Sequence, residues 1–121
     1  MRTLLALAYL TASVAADPLT GSQIAALISG NTTVGLWHGA PYRQSFRTDG
    51  TTIYAQQGSR SSLGHWRITE TSHTFETLWP NEDWTAYGVD RTGTTLSWID
   101  AAGTLHPFDI ETGENLTWPE N

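Results

Sequence analysis

The sequence predicts a mainly β protein: a small antiparallel up-and-down β-barrel, or a strongly curled meander, of about eight short strands with one short N-terminal helix. Three observations carry this. From Thr33 onward, short runs of β-branched and aromatic residues alternate with Gly, Asp, Asn and Pro. Every link between those runs is hairpin-sized, with no room for a crossover helix. An open sheet of that length would leave two unpaired edges, which closure removes.

The first segment is not part of that domain. In MRTLLALAYLTASVAADPLT, Arg2 gives a positive start and Leu4 to Leu10 a short apolar run. Val14, Ala15 and Ala16 then form a small-residue cleavage site before Asp17. This reads as a bacterial-type signal peptide over residues 1–16, followed by a single domain over 17–121. The expected location is periplasmic or secreted after cleavage near Ala16. No later segment is apolar for long enough to insert stably in a membrane.

Leu19 to Gly30 carries the helix, expected over about residues 20–29. Thr20 and Gln23 have capping-box spacing, and Leu19 and Ile24 that of a hydrophobic staple. Ile24, Leu27 and Ile28 form an i, i+3, i+4 stripe that must dock on something larger. The strands follow over about 33–110: Thr33–Trp37, Tyr42–Thr48, Thr51–Gln56, Gly64–Thr69, Thr74–Trp79, Thr85–Asp90, Thr95–Ile99 and Leu105–Ile110. In GHWRIT, alternation sets Gly64, Trp66 and Ile68 on one face and His65, Arg67 and Thr69 on the other. In TFETLW, Phe75, Thr77 and Trp79 share a face. Across a hairpin, Trp66, Ile68 and Phe75 then form a core cluster, and Arg67 meets Glu76 outside.

Charge excludes some partners. Six arginines and no lysine stand against twelve Asp and Glu, for a formal charge of -6. Such a chain has no basic footprint for nucleic acid. It has no cysteine, so packing and hydrogen bonds must hold it.

No motif announces catalysis. His38, His65, His73 and His106 stand in no HExxH, HxH or Cys/His array, so neither a metal site nor a cofactor is expected. There is no G-x-S-x-G elbow. Glu82 and Asp83 follow Trp79-Pro80-Asn81 and read as a solvated hairpin loop. Asn31 and Asn115 open N-x-T triplets, but a bacterial leader implies no glycan.

The candidate site is therefore spatial. Trp37, His38, Tyr42, Tyr54, Trp66, Trp84, Tyr87 and Trp98 are spread over most of the strands. In a small barrel such residues either fill the interior or leave an aromatic cup at one end. The cup would suit a small apolar or sugar-like molecule.

The run LTG-x-x-I-x-x-L-x-x-GNT from Leu19 to Thr32, the D-G-T turn at Asp49 to Thr51 and G-x-W-R-I at Gly64 to Ile68 resemble a known pattern. It is that of small extracytoplasmic lipocalin-like proteins of unknown function from alphaproteobacteria. The resemblance continues through Phe75 to Trp79, Trp84 to Asp90 and the turn at Arg91 to Gly93. It implies a barrel fold and an extracytoplasmic location, and no catalytic residue. Members often carry a cysteine pair near the strand after G-x-W-R, which this chain lacks. The leading functional expectation is a non-enzymatic binding or accessory protein. A small hydrolase or isomerase using histidines and acids, and a module that binds or inhibits an envelope protein, stand as alternatives.

Overall fold

The computed structural model describes residues 17–118, so the leader expected at 1–16 lies outside the described residues. Helix α1 (Gly21–Ile28) precedes β1 (Thr32–Trp37), β2 (Ala40–Phe46), β3 (Thr51–Gln56), β4 (Ser62–Thr69), β5 (Thr74–Leu78), β6 (Thr85–Thr92), β7 (Thr95–Ile99) and β8 (Leu105–Glu111). Each strand pairs antiparallel with the next, and β8 returns to β1, so the sheet is a closed up-and-down barrel. The meander does close, and among the described residues no strand is left with a free edge.

Alternation decides which side chains enter the barrel. On β2 the inward phase takes Tyr42 and Phe46, and on β5 it takes Phe75 and Thr77, all buried. Arg67 stands opposite Glu76 and Ile68 opposite Phe75, a register that the alternation allowed but did not fix. The Arg67 Nε–H donates to Glu76 Oε1 at 2.7 Å on the outer face.

One strand sits two residues earlier than the pattern suggests. β2 begins at Ala40, not Tyr42, because Trp37 pairs directly with Ala40 around a two-residue turn. Both turn residues, His38 and Gly39, have positive φ, at 51° and 82°. That is the backbone of a tight hairpin turn, which glycine accepts easily and histidine at a cost.

The helix closes one end of the barrel. The capping box is formed: Thr20 Oγ1 accepts from the Gln23 N–H at 3.2 Å, and Gln23 Oε1 accepts from the Thr20 N–H at 2.8 Å. The helix ends where the Gly30 N–H donates to the Phe46 carbonyl at the β2–β3 turn. Ile24 and Ile28 are fully buried and join Leu19, Phe46, Phe75, Val89, Trp98 and Phe108 in one core cluster. Each such isoleucine stabilises the closed end by about 1.5–3 kcal/mol. The barrel is thus plugged from the end carrying the β2–β3, β4–β5 and β6–β7 turns.

Beyond β8 the chain folds back over the outside of β1 and β2. Thr32 Oγ1 donates to the Gly113 carbonyl at 2.7 Å and accepts from the Asn115 N–H at 2.9 Å. Arg43, 6% exposed, points outward beneath this tail and forms a two-pronged bond with Glu111, at 2.8 and 3.3 Å. Among the described residues no helix is long and apolar enough to cross a membrane.

Candidate functional site

The helix does not fill the whole interior. At the opposite end, ringed by the β1–β2, β3–β4, β5–β6 and β7–β8 turns, a cavity of about 390 Å³ opens between the strands. Ligand sites commonly fall between about 300 and 1,000 Å³. Seven of its ten lining residues are aromatic: Trp37, Tyr42, Tyr54, Phe75, Trp79, Tyr87 and Trp98. Gln56, Ser62 and Glu82 supply the remaining polar edge.

The floor is a set of packed rings. Phe75 lies 4.8 Å from Trp98 and stacks at 5.3 Å on Tyr87. Trp98 stacks at 3.9 Å on Phe108, which belongs to the core cluster. A second set forms a wall, with Tyr42 stacked on Tyr54 at 5.5 Å and Tyr54 edge-on to Trp79 at 6.3 Å. The two meet where the Trp98 indole N–H donates to the Tyr42 hydroxyl at 2.6 Å. These rings fix one another, so the cup is pre-formed.

Two glycines make room for that wall. A Cβ on Gly64 would stand 2.5 Å from the Leu78 carbonyl oxygen and 2.6 Å from the Trp79 ring. On Gly35 it would stand 3.1 Å from the Tyr42 ring. Both aromatic rings lie across bare backbone.

The tyrosines are hydrogen-bonding groups, not bases. Burial pushes the Tyr42 phenol up to about 12, ahead of the opposing effect of the Trp98 hydrogen bond. Burial also raises Tyr54, with a smaller contribution from Tyr87. Tyr87 is raised by burial first, then by the negative charges of Asp100 and Glu82. All three remain neutral near pH 7. The Tyr54 hydroxyl donates to Gln56 Oε1 at 3.2 Å.

Five of the eight candidates from the sequence, Trp37, Tyr42, Tyr54, Tyr87 and Trp98, line the cup. The other three lie elsewhere. Trp66 sits at the helix end, edge-on to Phe46, with its indole N–H donating to the Arg47 carbonyl at 2.8 Å. Trp84 is outside, with the Arg67 guanidinium 3.9 Å over its ring. His38 occupies the hairpin turn and packs against Trp37.

Sequence reasoning left out Trp79, Gln56, Ser62 and Glu82 as lining residues, and placed Phe75, the tenth, in the core cluster. The first three follow from phase: Trp79 continues the inward face of Phe75 and Thr77, Gln56 that of Tyr54, and Ser62 pairs with Tyr54. Glu82 is different. It belongs to the loop read as merely solvated, and the loop fold brings it to the rim.

Histidines contribute little to the cup. His106 pairs across the ladder with Trp98, packs at 4.9 Å against Trp37 and shares a 2.8 Å hydrogen bond with Asp100. His65 is exposed on β4, and His73 accepts from the Gly21 N–H at the helix end. Among the described residues no group of three or more His, Cys, Asp or Glu is placed to hold a metal ion. Chemically, the arrangement can enclose an apolar body and hydrogen-bond its polar edge. No family model matches this chain, and no curated protein or solved structure was found to be similar to it.

Proposed function

We propose that the chain is a non-enzymatic, extracytoplasmic binding or accessory protein that holds a small apolar or sugar-like molecule in the aromatic cup. The observation that carries this reading is the aromatic-lined cavity left at the unplugged end of the barrel. An interior meant only for stability would be packed throughout, yet here the half-buried rings of Trp37, Tyr54, Trp79 and Tyr87 border an open pocket over the buried Tyr42, Phe75 and Trp98. Aromatic faces suit apolar groups and the C–H faces of sugars, while Gln56, Ser62 and the tyrosine hydroxyls suit a polar edge. Export by residues 1–16, and membership of the lipocalin-like group that the Leu19–Thr32 and Gly64–Ile68 motifs resemble, belong to the same proposal.

An enzyme is the weaker reading. Among the described residues Glu82 is the sole carboxylate on the lining and no histidine joins it, whereas acid–base work needs convergent ionisable groups.

Native mass spectrometry of protein recovered from the extracytoplasmic fraction tests the proposal, alongside tryptophan-fluorescence titration with the neutral apolar probe N-phenyl-1-naphthylamine and with neutral oligosaccharides. A reproducible bound mass, or saturable binding lost in Trp79→Ala and kept in Trp84→Ala, is the expected result. Absence of any bound mass together with no saturable response to either ligand class overturns it.

A further inference from the structure

The segment preceding α1 has a defined place. Beyond Tyr87, β6 runs past the end of its pairing with β5, and residues 17–19 take up the vacated side. The Leu19 N–H donates to the Val89 carbonyl at 2.8 Å, the Arg91 N–H donates to the Asp17 carbonyl at 3.1 Å, and Pro18 lies opposite Asp90. These bonds hold the backbone nitrogen of Asp17 2.8 Å from Asp90 Oδ1.

Asp90 is 2% exposed. Its Oδ2 accepts from the Thr92 hydroxyl at 2.7 Å. In the uncut chain both donors are neutral, and among the described residues no arginine or histidine forms an ion pair with it. A carboxylate withdrawn from water is costly unless a cation meets it. The nitrogen already beside it belongs to the residue that follows the Val14-Ala15-Ala16 cleavage site. Two unrelated observations, a leader pattern and a buried acid, converge on one atom.

We propose that the Ala16–Asp17 bond is a maturation site, and that its hydrolysis supplies the counter-ion of Asp90: the new α-ammonium group of Asp17. The proposal rests on the export reading above and is independent of what the cup binds. The agent is a peptidase that accepts small residues such as Val14 and Ala16. Water adds to the Ala16 carbonyl carbon and the C–N bond breaks. Ala16 leaves as a carboxylate, and both hydrogens of the water end on the Asp17 nitrogen, which keeps its own. A free α-amino group is mostly protonated near pH 7. A neutral amide donor thereby becomes a cation in place, with β6 holding the register. Cutting one residue earlier leaves an amide at this position, and cutting one residue later removes the nitrogen.

The chain has no lysine, so the α-amine of the mature protein is its sole primary amine and an N-hydroxysuccinimide ester reports on it alone. Two chains are compared at pH 7, one beginning at Asp17 and one at Ala16, both checked for folding by circular dichroism. The amine of the first should react about tenfold more slowly, because the ion pair keeps it protonated. Asp90→Asn in the first chain should restore the rate of the second. Equal rates in the two chains overturn the ion pair, and this holds even if the Asp90 variant fails to fold. Intact mass of protein exported by a secreting bacterial host tests the cleavage separately. A mature mass beginning at Asp17 is expected. A different first residue overturns the maturation site, and an uncut chain overturns the export reading with it.

Discussion

The Trp98 indole N–H donates to the Tyr42 hydroxyl across the barrel interior, at 2.6 Å, and both side chains are buried. This bond joins the floor of the cup to its wall. Tyr42→Phe keeps the ring and removes the acceptor, leaving a buried indole donor without a partner. The expected loss is about 1–3 kcal/mol in urea unfolding, with a shift in tryptophan emission.

Tyr42 also sets an alkaline limit. Its phenol is neutral in the fold up to about 12, against an ordinary value of 10.0. Between those values the unfolded chain releases a proton that the folded chain retains, so rising pH favours unfolding. The contribution of Tyr42 is complete below pH 10 and is lost as pH climbs to about 12. Denaturation midpoints measured across that window should fall less steeply in Tyr42→Phe.

Gly64→Ala should disturb the cup from behind. The new methyl group would meet the Leu78 carbonyl and the Trp79 ring, and the carbonyl belongs to backbone that yields little. A destabilisation of about 1–3 kcal/mol is expected, accompanied by weaker ligand binding. Gly39→Ala, with open space around its Cβ, should affect stability through backbone conformation and leave binding unchanged.

The Arg43–Glu111 and Arg67–Glu76 pairs should behave differently. Arg43 is buried beneath the C-terminal tail, so Glu111→Gln takes the counter-charge from a guanidinium with little access to water and should cost about 1.5–3 kcal/mol. Arg67 and Glu76 stand at the surface, so Arg67→Ala should cost less than about 1 kcal/mol. The Arg67 hydrogen bond holds the Glu76 carboxyl below its ordinary 4.5. Its small contribution is present above pH 4.5 and fades as pH falls through the lower folded value. Acid titration of both variants separates the pairs.

Thr20→Ala removes one half of the capping box on a helix of only eight residues. About 1 kcal/mol should be lost. Because Ile24 and Ile28 plug the barrel from this helix, amide exchange should rise at its end of the barrel before it rises at the cup.

The barrel was legible because hairpin-length links leave an antiparallel chain few other routes. Its inner face was legible too: parity along GHWRITETSHTFETLW separates Phe75 and Thr77 from Arg67 and Glu76 without knowledge of the register. Parity does not say which end of the barrel a side chain occupies. Trp66 obeys the inward phase yet stands at the plugged end, because each step along a strand is also a step along the barrel. Trp84 could have been set aside, since it precedes β6 in a parity opposite to that of Tyr87 and Val89. Glu82 had no periodic signal, because a loop places its side chains through its own hydrogen bonds, such as that from the Glu82 N–H to the Trp79 carbonyl.

The pairing of β1 with β8 has a consequence for how the chain is made. Thr32 lies opposite Glu111, so the first strand waits for the last to emerge. Until then a growing chain has only local hairpins and an unsealed sheet with two open edges. The barrel closes only once β8 is available, and a chain truncated before β8 leaves β1 with an unpaired edge open to aggregation or chaperone capture.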